Sequence, residues 1–196
     1  MIPVKLQPEP NSFFELVRKP GNIFLHKTPH PLDHEWTRRG YWRNALPEMR
    51  IAYKHICAYC AQWIPYGTGA HSVDHFIPKS VSPNLAYEWS NFRYVSSRFN
   101  SRKGTKLILD PYNLQEGWFT IDFTSFFIKP HPGLLPEQKL QVLDTIDILK
   151  LNTDELLVQE RYSWVVDFLE GQCAFALLEK KMPFIAFELR RQGIYT

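Results

Sequence analysis

The chain sets Asp74 and His75 side by side in the stretch HSVDHFIPKS, residues 71–80, and follows them with Asn91 and Asn100. An imidazole titrates closest to neutral pH of all side chains, so His75 can take a proton from water. Aspartate and asparagine offer hard oxygen ligands of the kind Mg²⁺ accepts. That ion keeps several waters, so Asp74 and Asn100 would suffice as protein ligands. Hydrolysis of a phosphodiester needs such a base, such a cation and positive side chains to hold the phosphates. Lys79 follows the acid–imidazole pair, and Arg93, Arg98, Arg102, Lys103 and Lys106 lie in WSNFRYVSSRFNSRKG or just beyond it. Each residue also has an ordinary structural use. A strand histidine is commonly a satisfied side chain, Asn91 can cap a helix, Asn100 falls near a helix end, and a charge run is usually a solvated face.

These residues need elements to present them. Adjacent strand residues face opposite sides, so Asp74 and His75 share a site only where their strand ends or twists, and Pro78 predicts that ending. Short β-leaning pieces between Cys57 and Asn84, broken by PYGTG at 65–69, predict a hairpin. The run 89–104 predicts a helix, with Ser90 or Asn91 as N-cap, Phe92, Val95 and Phe99 on one face and Gly104 as its stop. Upstream, LPEMRIAYKHI predicts a helix with Pro47 in its first turn. The proline-rich residues 1–45 read as an irregular arm with one short helix, NSFFELVRK, capped by Asn11 or Ser12 and stopped by Pro20. Downstream, WFTIDF and FFIKP alternate like strands. From Pro136 the pattern turns helical, with Leu140, Leu143, Ile146 and Ile148–Leu149 as one apolar face and Thr153 capping the next helix. Cys173 reads as helical core.

The order and spacing of Cys57-x-x-Cys60, Asp74–His75, Asn91 and Asn100 resemble the HNH, or ββα-metal, endonuclease family over roughly Ile56 to Lys106. The resemblance implies an α+β fold: a hairpin-plus-helix core at 46–106, the arm at 1–45, and a mixed, then mainly helical C-terminal lobe at 107–196 packed on the core. It implies that Asp74 and Asn100 hold Mg²⁺ or Mn²⁺, that His75 is the general base, and that Asn91 fixes the loop carrying that histidine. Many members hold a structural zinc with a second cysteine pair. Here Ser96 and Phe99 stand in those places, so a four-cysteine zinc site is not available and structural zinc is not expected. Phe99 is expected to replace it with apolar packing. The segment DTIDILKLNTDELLVQER, 144–161, further resembles small HNH proteins of bacterial anti-phage systems, of the Septu and retron-associated types, in which an HNH subunit works beside an ATPase.

Composition bounds the rest. The 196 residues are 44% hydrophobic and 15% aromatic, enough to bury a core. A net charge of +3 is too mild to establish a polyanion partner by itself. Three cysteines, an odd count, argue against a secreted disulfide framework, and no leader or membrane-spanning run is evident, so a cytoplasmic protein with no membrane partner is expected. The expectation is thus a metal-dependent endonuclease cutting nucleic acid, DNA favoured over RNA. The alternative is a nucleic-acid-binding or scaffold subunit that keeps the fold without turnover.

Overall fold

The computed structural model describes residues 1–195 as a mixed α+β chain with seven α-helices and two two-stranded antiparallel sheets. It divides into two compact units. One comprises residues 5–56 and 64–105, the other residues 1–4, 57–63 and 106–196. Residues 5–45, read from sequence as an arm, therefore fold together with the segment that carries Asp74 and His75.

In the first unit a π-helical turn, Phe14–Arg18, runs into helix α1, Lys19–Lys27. Pro20 does not stop this helix. It occupies the first turn of α1, where a missing N–H costs nothing and the fixed φ suits the helix. Helix α2, Leu46–Ala52, likewise begins with Pro47 in its first turn. Strand β1, His71–His75, pairs antiparallel with β2, Phe92–Ser96, in the register His71 opposite Ser96 and His75 opposite Phe92. Helix α3, Ser97–Lys103, follows at once and ends at Gly104, whose φ of +52° favours glycine. The hairpin and helix thus differ from the sequence expectation. PYGTG lies ahead of β1, and the strands are joined by residues 76–91. Residues 92–96, expected as the start of a helix, are the second strand. Phe92, Tyr94 and Val95 are strand-favouring types, and because residues 92–95 are all buried, Arg93 included, the strand lacks the regular apolar–polar alternation that would mark it in the sequence.

An aromatic core ties the former arm to this hairpin. Phe13 meets Trp89 and Phe92 edge to face at 5.4 and 5.7 Å, and the Trp89 indole donates to the Gln7 carbonyl at 2.7 Å. Buried Tyr87 lies among Trp36, Tyr41 and Trp42, and its hydroxyl donates to the Arg39 carbonyl at 2.8 Å. Gly21 is required there, since a Cβ would come within 2.1 Å of the Tyr87 ring.

In the second unit β3, Phe119–Asp122, pairs antiparallel with β4, Phe127–Pro130, and helices α4, Pro136–Leu149, α5, Glu155–Leu169, α6, Phe175–Lys181, and α7, Pro183–Arg191, follow. Asp154, rather than Thr153, caps α5 by accepting from the Leu156 N–H. Helix α4 buries Val142, Thr145, Ile146 and Leu149 and leaves Leu140 and Leu143 exposed, so the buried stripe lies to one side of the expected face. Cys173 precedes α6 in a turn and is only half-buried, not helical core. Cys57 and Cys60 are buried in this unit. The Ala61 N–H donates to the Cys57 carbonyl at 2.9 Å, and burial foremost pushes the Cys60 thiol well above its ordinary range. Among the described residues no helix is long and apolar enough to cross a membrane.

Candidate active site

The first unit carries a cavity of about 530 Å³ whose wall includes Asp74, His75, Asn100 and Lys79, together with Ser72, Trp42 and Arg43. Strand β1 ends at His75, which lets neighbouring side chains border one space despite the alternation of a strand. The His75 Nε2 lies 2.9 Å from the Ala86 carbonyl. A carbonyl only accepts, so Nε2 carries the proton and Nδ1 keeps a lone pair. The ring is fixed further by edge contacts with Trp42 at 4.8 Å and Phe92 at 5.3 Å. Burial lowers the His75 pKa to about 4; the Ala86 bond opposes this, and Lys79 and Lys103 add to it. The imidazole is therefore neutral, the form a base requires.

Asn91 is buried and braces the loop that follows His75. Its Oδ1 accepts from the Ile77 N–H at 2.8 Å, while Nδ2 donates to the Ile77 and Leu85 carbonyls at 3.0 and 3.1 Å. Its backbone carbonyl accepts from the Phe76 N–H at 2.9 Å. Asn91 acts on this loop from inside, not as the cap of a helix. Asn100, on α3, donates through Nδ2 to the Ser72 Oγ at 2.7 Å and the Val73 carbonyl at 3.2 Å. Both bonds use the amide nitrogen, which orients the side chain and leaves the carbonyl oxygen for another partner.

Asp74 is 2% exposed and pairs with Lys103, which is fully buried. The ammonium reaches both carboxylate oxygens, at 3.1 and 3.3 Å, and donates to the His75 carbonyl at 3.0 Å. This corrects the reading of Lys103 as a phosphate contact, because a buried ammonium spent on a carboxylate cannot meet a strand in solvent. Arg93 is corrected on the same ground. It is 3% exposed, with its guanidinium on the Ser90 and Phe92 carbonyls at 2.8 and 2.9 Å and over the Phe76 ring. Arg98 is exposed on α3, Arg102 is half-buried over Phe99, and Lys106 is exposed on the second unit. Lys79 borders the cavity with its ammonium over the Trp36 and Trp42 rings at 5.7 and 5.6 Å. Sequence reasoning does not single out Arg43 and Trp42, since nothing in GYWRN separates them from an ordinary surface turn. His71 borders the cavity too, but its Nδ1 is engaged by the Tyr94 hydroxyl and its Nε2 lies 3.0 Å from the Pro65 carbonyl.

The donors present fit a small hard cation. Asp74 and Asn100 lie on two elements bordering one space and would offer oxygens to Mg²⁺, an ion that normally completes its shell with water and substrate. A site built from protein alone is not offered, for no cluster of three or more His, Cys, Asp or Glu suited to a metal occurs among the described residues. Phe99 is buried at 2% exposure, as expected of apolar packing.

No family model matches the chain. Over 126 residues, 62% of its length, the chain is 32% identical to the Septu protein PtuB of Bacillus thuringiensis. The match covers 45% of that relative, so the chain spans less than half the length of the curated protein it resembles.

Proposed function

We propose that this chain is a metal-dependent endonuclease of the HNH type that hydrolyses phosphodiester bonds in nucleic acid, with DNA favoured over RNA. The observation that carries the reading is a neutral His75, its proton fixed on Nε2, bordering the same cavity as Asp74 and Asn100. His75 Nδ1 takes a proton from the attacking water, whose oxygen forms the new bond to phosphorus as the leaving oxygen departs with the electrons of the old one. Asn91 keeps the imidazole aimed by fixing the loop behind it. Lys79 and Arg43 meet the phosphate. Asp74 and Asn100 hold Mg²⁺ or Mn²⁺, which when bound supplies positive charge for the phosphate and leaving oxygen. The Septu relative supports a setting in bacterial anti-phage defence. We further propose, from the resemblance of residues 144–161, the place of an effector subunit beside an ATPase, in the cytoplasm.

A second reading, a nucleic-acid-binding or scaffold subunit without turnover, is favoured by one feature: the Lys103 ammonium already neutralises Asp74. Supercoiled plasmid separates the two. Incubated with Mg²⁺ or Mn²⁺, the wild-type protein is expected to nick it and His75→Ala to be slower by about 100-fold or more. Equal nicking by both removes His75 from the mechanism. Binding without nicking of plasmid or total RNA, even with the neighbouring ATPase added, establishes the second reading.

A further inference from the structure

A second cavity in the first unit, about 500 Å³, is bordered by Lys27, His34, Arg38, Arg39, Tyr41 and Glu35. Lys27, His34, Arg38 and Arg39 are exposed. Glu35 is the one acid on this wall and accepts from the Leu32 N–H at 2.7 Å, so Lys27, Arg38 and Arg39 stand against a single carboxylate and leave a surplus of positive charge. This cavity is joined to the candidate active site by the chain itself. Tyr41 borders the second cavity, while Trp42 and Arg43 border the first. Lys79, over both Trp36 and Trp42, lies at the junction. The segment is held firmly, because Tyr87 packs against Trp36, Tyr41 and Trp42 and bonds the Arg39 backbone.

Arg39 and Arg43 are no more than about 15 Å apart along the chain, a few steps of a nucleic-acid strand at a rise of about 3.4 Å. Cations spaced in this way bind successive phosphates and position a strand without reading its bases. We propose that the cavity bordered by Lys27, Arg38 and Arg39 is a phosphate-binding subsite that holds the nucleic-acid strand on one side of the scissile bond. The proposal rests on the nucleic-acid-cleaving reading of the first cavity. It places the phosphate track at the end of α1 and on the segment between α1 and α2, and not on Arg93 of β2 or Lys103 of α3, which are buried.

Fluorescence anisotropy with labelled DNA duplex and RNA hairpin, in EDTA and across a salt series, tests it. Lys27→Gln/Arg38→Gln/Arg39→Gln is expected to weaken binding at least 10-fold and to lower the slope of log affinity against log salt by about 2, at about 0.9 for each duplex phosphate no longer neutralised. His75→Ala is expected to bind as the wild type does. Arg39 also touches Phe24 and the Tyr41 hydroxyl, so Lys27→Gln/Arg38→Gln, which leaves it in place, guards against misfolding and is expected to give a slope lower by about 1 to 2. Wild-type slope and affinity in both variants, on both probes, overturn the subsite while the active-site reading stands. Absence of binding by the wild type and His75→Ala alike removes both.

Discussion

At the scale of single residues, His75 is governed by burial. Its pKa is held at about 4 against an ordinary 6.5, so between those values the unfolded chain binds a proton that the folded protein refuses. Stability from this source is fully present above about pH 6.5 and falls as the pH drops toward 4, by a total on the order of 3 kcal/mol. Urea unfolding in EDTA, compared between wild type and His75→Gln from about pH 7 down to about pH 4, reads this directly. The wild type is expected to lose stability faster with acid than the variant, whose amide can still donate toward the Ala86 carbonyl but does not titrate. Parallel curves would show that His75 takes its proton in the folded state and that the buried, neutral imidazole is misassigned. The same depression predicts that acid loss of base function lies well below the range where a free histidine titrates.

At the scale of elements, α3 sets Asn100 and Lys103 three residues apart on one face, and both reach β1: Asn100 to Ser72 and Val73, Lys103 to Asp74 and the His75 carbonyl. In the proposed site, one helix would therefore supply an oxygen for the cation and an ammonium that competes with it for Asp74. Lys103→Met removes the competitor and breaks a buried ion pair, which costs about 3–5 kcal/mol. We expect the variant to be less stable than wild type in EDTA and to gain more stability from Mg²⁺, measured as urea midpoints with and without the ion. A variant as stable as wild type in EDTA, or indifferent to Mg²⁺, would refute the coupling. Lys103 illustrates what sequence reading can and cannot reach. Asp74, His75, Asn91 and Asn100 are legible because their types and order are specific, and all four lie at or beside one cavity or its loop. Lys103 and Arg93 read as surface charge because a run of basic residues carries no record of which members turn inward. Residues 92–96 read as helix because burial on both faces erases the alternation that marks a strand. The helices from Pro136 onward are legible from periodicity, though their exact faces and caps depend on packing partners distant in sequence.

At the scale of the whole molecule, chain order and folding unit do not coincide. The backbone passes between the two units at residues 4–5, 56–57, 63–64 and 105–106, so neither unit is a single continuous segment. A hairpin with one short helix buries too little to stand alone, and here its apolar face is closed by residues earlier in the chain. Phe13 covers Trp89 and Phe92, Val17 and Phe24 are buried, and Trp36 packs on Tyr87. Polar ties follow the same course: Arg18 pairs with Glu88 at 3.1 Å, and the Gln7 N–H donates to the Tyr53 hydroxyl at 3.3 Å. Residues 46–106, the span that carries the candidate catalytic groups, therefore lack the other half of their own core. Expressed alone, that fragment is expected to show no cooperative thermal transition by circular dichroism and to be digested by protease at concentrations the full chain withstands. Adding a peptide of residues 1–45 should restore protection in part, because that peptide carries Phe13, Val17, Phe24 and Trp36. A fragment 46–106 that unfolds cooperatively on its own would mean that the aromatic layer is an accessory to the hairpin and not the core on which the cavity is built.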